Sequence, residues 1–146
     1  MTFALLFVLL LGLPALLLVA NFSVGYDRID LEELTRRGIA VTNTPGVLSA
    51  ATADLTFALI LATRRRVLEG DAIVRAGKWQ AGWANGIVSE ELTGSTLGIV
   101  GLGRIGQAVA RRAQGFELRV LYAQRTRADT ELGEYRELDA LLAESD

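Results

Sequence analysis

The sequence has 146 residues, about one domain's worth; it is 51% hydrophobic and 22% charged, with 15 basic against 17 acidic residues and a net charge of −2. That balance excludes the basic excess of a nucleic-acid binder and the low-hydrophobicity, high-charge signature of a disordered chain. Cysteine and histidine are both absent. Disulfide scaffolds, thiolate or imidazole metal sites, cysteine nucleophiles and Ser-His-Asp chemistry are therefore impossible within these residues.

The chain opens on an uncharged run from Phe3 to Ala20, broken by Gly12 and Pro14. It is long enough to consider as a membrane span or export signal. A misread start is another reading, and a buried strand of a parallel sheet also reads as a continuous apolar run. Pro14 favours splitting the run, with Leu16 to Ala20 as a buried strand. Residues 1–12 stay unassigned. Asp30 to Arg37 reads as a short helix stopped by Gly38, and Ile39 to Thr42 as a strand. Asn43-Thr44-Pro45-Gly46 is turn chemistry.

A long helix is expected from Ser49 to Glu69, continuing through Ala72 to Ala76. Its apolar residues Leu55, Phe57, Leu59, Ile60 and Leu61 surround most of the circumference, so it should lie buried between layers or subunits. Arg64, Arg65 and Arg66 read as a solvated last turn that complements the helix dipole. Trp79 and Trp83, among Gly77, Gly82 and Gly86, suggest a loop anchored by aromatic packing. From Leu92 onward the pattern is strand Thr96 to Leu102, helix Arg104 to Gln114, strand Leu118 to Ala123 and helix Glu137 to Glu144. Strands alternating with helices imply an α/β fold with a parallel sheet.

The chemistry concentrates in Gly101-Leu102-Gly103-Arg104-Ile105-Gly106. A bare GxGxxG is a weak signal, but here a strand leads in and an Ala-rich helix leads out, as dinucleotide binding requires. Gly101 permits the turn, Gly103 lets the backbone approach a pyrophosphate, and Gly106 lets helix and strand pack closely. The helix N-terminus then meets the phosphates. An acidic residue about 20 positions on usually holds the ribose hydroxyls. At that strand end stand Gln124, Arg125, Thr126 and Arg127, with no carboxylate. An arginine there suits a 2′-phosphate, so NADP is favoured, with NAD as the alternative.

These stretches, with Val24-Gly25-Tyr26-Asp27-Arg28-Ile29-Asp30, Arg37 to Pro45, Ala51 to Leu55 and Gly98 to Thr126, resemble the D-isomer-specific 2-hydroxyacid dehydrogenase family. The glyoxylate/hydroxypyruvate reductase branch is the nearest likeness, and phosphoglycerate dehydrogenase ranks second. The resemblance implies a partial flavodoxin-like substrate domain with an interdomain helix over 13–91, and the first half of a Rossmann NAD(P)-binding domain over 92–146. It implies a 2-keto or 2-hydroxy acid substrate, its carboxylate held by backbone amides at Val24 and Gly25. Leu102 to Ile105 would hold the pyrophosphate, and Gln124, Arg125 and Thr126 the adenosine ribose. A homodimer supported by the helix from Ser49, a structural role for Asp54 and a cytoplasmic location are also implied. The family's catalytic arginine, acid and histidine have no counterpart here. The chain is thus expected to be the middle of a longer enzyme and inactive alone. The competing reading is a non-catalytic nucleotide-binding module, either free or tethered to a membrane by its N-terminus.

Overall fold

The computed structural model describes residues 15–80 and 86–146. Residues 1–12, Leu13, Pro14, Gly82 and Trp83 lie outside that set, and so do the expectations placed on them. The chain divides into two compact units at Val47/Leu48.

In the first unit, strand β1 (Leu18–Ala20), helix α1 (Leu31–Arg36) and strand β2 (Ala40–Thr42) follow in order. β1 and β2 pair in parallel, with Val19 opposite Val41. Asp30 caps α1 by accepting from the Glu33 N–H at 2.9 Å, which satisfies one of the amides a helix start leaves open. Gly38, at φ +69°, turns the chain out of the helix. The buried side chains here are Leu34 and Ile39. The expected strand is present but is not buried, since Leu17 is 78% and Leu18 51% exposed. Successive strand residues face opposite sides, so Leu17 and Leu18 stand on different faces, and among the described residues neither is covered.

The second unit begins with α2 (Ser49–Arg64) and α3 (Val67–Arg75), followed by β3 (Thr96–Val100) and α4 (Arg104–Ala113). A 3₁₀ turn at Gln114–Phe116 then leads into β4 (Arg119–Ala123), β5 (Glu134–Tyr135) and α5 (Leu138–Glu144). The sheet is parallel in the order β3-β4-β5. β5 had no counterpart in the sequence reading, because two residues are too short to show a period. Alternation along β4 explains the layering. Val120 and Tyr122 join the core formed with α2 and α4, while Leu121 and Ala123 pack with Leu141 of α5. A strand covered on both faces needs no polar positions.

The expected long helix is two helices. Arg66 adopts a left-handed backbone at φ 50°, which is unfavourable for a residue with a Cβ. Its guanidinium compensates with a bidentate pair to Glu69 at 2.7 and 2.8 Å and a bond to the Val88 carbonyl at 3.1 Å. The three arginines are therefore not a solvated turn. Arg65 donates to Ser89 Oγ, and Arg64 donates to Ser95 Oγ and pairs with Glu90. Together they fasten the segment leading into β3. Nor is α2 buried all round: Ala53 and Phe57 are buried, while Leu55 and Leu59 are about 60% exposed. Trp79 is also exposed rather than packed.

α2 lies against α4, where Ala108, Ala110 and Ala113 leave room for a close approach. Phe57 stacks on Phe116 with ring centroids 5.0 Å apart. Arg112 donates to Asp54 at 2.7 Å and to the Ala50 carbonyl at 3.3 Å, so Asp54 ties the two helices. The residues from Leu48 thus pack with the nucleotide-motif unit, and the compact division falls earlier in the chain than the 91/92 boundary expected from the sequence.

Opposite this core, Arg119 and Arg136 bracket Glu134, and both also reach Glu144. Hydrogen bonds from the two guanidinium groups hold the Glu134 carboxyl down at about 2, against an ordinary 4.5. A depressed carboxylate contributes stability that is complete above 4.5 and is lost as pH falls through about 2. Glu134→Gln should flatten the fall of the thermal midpoint between those two pH values. An equally steep fall in the variant and the parent would contradict this role.

Candidate functional site

In the first unit the loop after β1 is built by two asparagines. Asn21 Nδ2 donates to the Gly25 carbonyl at 2.9 Å, and Asn43 Nδ2 donates to the Val24 carbonyl at 2.9 Å. The Thr44 N–H donates to the Ser23 carbonyl at 3.1 Å. With three successive carbonyls held this way, the backbone N–H groups at Val24 and Gly25 are among those the exposed loop has to offer a ligand. Such donors in series suit an anion. Asp27 brings its carboxylate close to Gly25, a negative charge that an anion there has to avoid. Val24 and Gly25 are exposed. The bracing was not legible in the sequence: Asn43 and Val24 come from two separate loops, and the bond from Asn21 to Gly25 forms only once their shared loop has folded back on itself.

The second unit carries the glycine loop between β3 and α4. Gly101 stands at φ +95°, a region that penalises any side chain. The strand ends at Val100 for this reason, two residues before the expected end. The Gly101 N–H donates to the Ala123 carbonyl at 2.8 Å, which continues the β3–β4 ladder into the turn. A Cβ on Gly106 would collide with the Gly101 carbonyl oxygen. A Cβ on Gly103 would meet nothing within 4 Å, so open space lies beside the backbone that is to approach a phosphate.

The N-terminus of α4 has no side-chain cap and no acidic residue in its first turn. Its open N–H groups and dipole favour a negative group. Gly103, Arg104 and Ile105 are exposed there, whereas Leu102 is 2% exposed with its side chain in the core. The Leu102 N–H donates to Gln124 Oε1 at 3.0 Å, so it shapes the loop from beneath. Open space, unopposed amides and the absence of acid fit a pyrophosphate.

At the end of β4, Gln124 Nε2 donates to the Thr126 carbonyl at 2.7 Å. Arg125 and Thr126 are exposed. Beneath them the buried Tyr122 hydroxyl donates to the Ala128 carbonyl at 3.0 Å and accepts from the Ala128 N–H at 3.1 Å. Tyr122, which nothing in the sequence singles out within its strand, fixes the far end of this turn. The structure thus joins Leu102, Gln124 and Thr126 in one unit.

Residues 57–146 match the family model described as D-isomer specific 2-hydroxyacid dehydrogenase, NAD binding domain. The chain belongs to that family. It is 58% identical to a glyoxylate reductase of Pyrococcus furiosus, in an alignment covering 91% of this chain and 42% of the relative. The crystal structure of the TT0316 protein from Thermus thermophilus superimposes with a TM-score of 0.84 at 51% identity, over 89% of this chain and 42% of that one. A D-lactate dehydrogenase from Aquifex aeolicus, complexed with NAD and lactic acid, gives 0.82 at 36% identity over 94% and 42%. The chain spans less than half the length of these relatives. Its glycine-loop unit is the Rossmann-like NAD-binding domain of the family. Among the described residues, no helix is long and apolar enough to cross a membrane.

Gly106→Ala tests the loop directly. Overpacking against backbone costs about 1–3 kcal/mol. The variant should unfold at lower urea and bind a dinucleotide more weakly. An unchanged urea midpoint would show that helix and strand are not in forced contact.

Proposed function

We propose that the chain is the nucleotide-binding part of a reductase that uses NADPH in preference to NADH and acts on glyoxylate, hydroxypyruvate or a similar small 2-keto acid. The observation that carries the cofactor preference is Arg125. It is exposed, and its side chain makes no hydrogen bond or ion pair among the described residues. It stands at a strand end that has no carboxylate. An arginine held free beside a ribose site can pair with a 2′-phosphate, whereas an acid would repel it.

The site residues divide the work. Gly103, Arg104, Ile105 and Gly106 bring backbone donors to the pyrophosphate, with Gly101 making the turn and Leu102 anchoring the loop. The Gln124–Arg125–Thr126 turn takes the adenosine ribose end. Amides at Val24 and Gly25 hold the substrate carboxylate. A bound nicotinamide dinucleotide supplies hydride for the carbonyl carbon. Reduction also needs a proton donor near the oxygen, and these 146 residues contain no imidazole. The chain alone is therefore read as binding cofactor without turning over substrate. The exposed Leu55 and Leu59 on α2 support pairing of two copies in the whole enzyme.

The test is titration of the purified chain with both reduced cofactors. NADPH should bind more tightly than NADH. Arg125→Ala should weaken NADPH about tenfold, the worth of one charged hydrogen bond, and leave NADH nearly unchanged. Equal losses for both cofactors would remove Arg125 from the 2′-phosphate. Glyoxylate-dependent oxidation of NADPH by the chain alone, abolished by Gly103→Val, would overturn the inactive reading.

A further inference from the structure

We propose that Gln124 is a positioning residue that couples the two ends of the nucleotide site, orienting the glycine loop and the Arg125–Thr126 turn through a single carboxamide. This rests on the dinucleotide reading above and goes beyond it, because it takes Gln124 away from direct contact with the ribose.

The geometry is specific. Gln124 Oε1 accepts from the Leu102 N–H at 3.0 Å, and its Nε2 donates to the Thr126 carbonyl at 2.7 Å. The first bond fixes the Gly101–Leu102 peptide plane, one residue before Gly103. The second fixes the Thr126–Arg127 peptide, one residue beyond the peptide that follows Arg125. Among side chains of this length, only the carboxamide does both. A glutamate accepts but does not donate, lysine and arginine donate but do not accept, and methionine does neither well. The carboxylate usual at this strand end could hold Leu102 but would repel the Thr126 carbonyl.

Burial makes the link costly to lose. Leu102 is almost fully buried and Gln124 half-buried, so a Leu102 N–H without its acceptor stays unsatisfied. The far end of the turn is independently held at Ala128 by Tyr122. Movement released at Gln124 is thereby confined to residues 125–127, where the guanidinium of Arg125 is displayed.

The experiment uses the 146-residue chain with Gln124→Met, Arg125→Ala and the double variant. Dissociation constants for NADPH and NADH are measured, together with hydrogen exchange of the Leu102 amide without nucleotide. Gln124→Met should speed Leu102 exchange about fivefold or more, the worth of one lost hydrogen bond. It should weaken NADPH about tenfold and NADH about threefold, on the same scale. In the Arg125→Ala background its effect on the NADPH-to-NADH ratio should vanish, because a positioning residue acts on the ratio only through the group it positions.

Should Gln124→Met fail to fold, Gln124→Asn is the second variant. It keeps a carboxamide but is one methylene too short to span both partners, and the same pattern is expected. Unchanged Leu102 exchange, or an effect on the ratio that persists without Arg125, overturns the proposal. The cofactor reading fails separately, if the parent chain prefers NADH. A parent chain that binds neither dinucleotide overturns both.

Discussion

The constraint on which the second unit rests is a contact between two glycines. Helix α4 begins so near the end of β3 that a single carbon on Gly106 would strike the carbonyl of Gly101. Nearly everything else in the second unit follows from this approach. It brings the Ala-rich face of α4 down onto the sheet, so that Ala108, Ala110 and Ala113 are sealed. Residues this small in turn admit α2, whose Ala53 and Phe57 close the layer. The same approach leaves the first amides of α4 uncapped at the mouth of the turn. The packing of this layer thus depends on the missing side chain at residue 106.

Charged groups complete what the apolar core leaves undone. On α2 and after it, Arg64, Arg65 and Arg66 are spent on Ser95, Ser89, Glu69 and backbone carbonyls. At the other end, Arg119 and Arg136 lace β4, β5 and α5 through Glu134 and Glu144. Exposed pairs of this kind contribute little singly. Their effect is positional, since they fix segments that carry too few apolar residues to be held by burial.

Much of this architecture was legible in the sequence, for identifiable reasons. The strand at 96–100, the helix from Arg104 and the strand ending at Ala123 each carry a full apolar pattern with glycine punctuation, so their order and the α/β class could be read directly. The glycine loop was legible because its three glycines have separate steric duties. Three features were not. The break at Arg66 depends on a left-handed backbone held by long-range bonds to the 86–89 segment, which no local propensity signals. The exposure of Leu17 and Leu18 reflects what stacks on a strand rather than what the strand contains. The bracing roles of Asn43 and Gln124 require knowing which loops become neighbours, and those of Asn21 and Tyr122 depend on how a single loop folds back on itself. Residues that display chemistry could be found by type and spacing, whereas those that aim it could not.

The turn after β4 separates scaffolding from display. Its shape is fixed by the Gln124 carboxamide, the Tyr122 hydroxyl and main-chain atoms. The side chains of Arg125, Thr126 and Arg127 point to solvent and take no share in that framework. Mutation at 125–127 is therefore nearly invisible to folding while being fully visible to whatever binds there. Ligand preference at this corner can drift through neutral intermediates, one codon at a time, without the protein ever passing through an unstable form. The two framework side chains allow no such freedom, and a lineage that changed them would have to rebuild the turn.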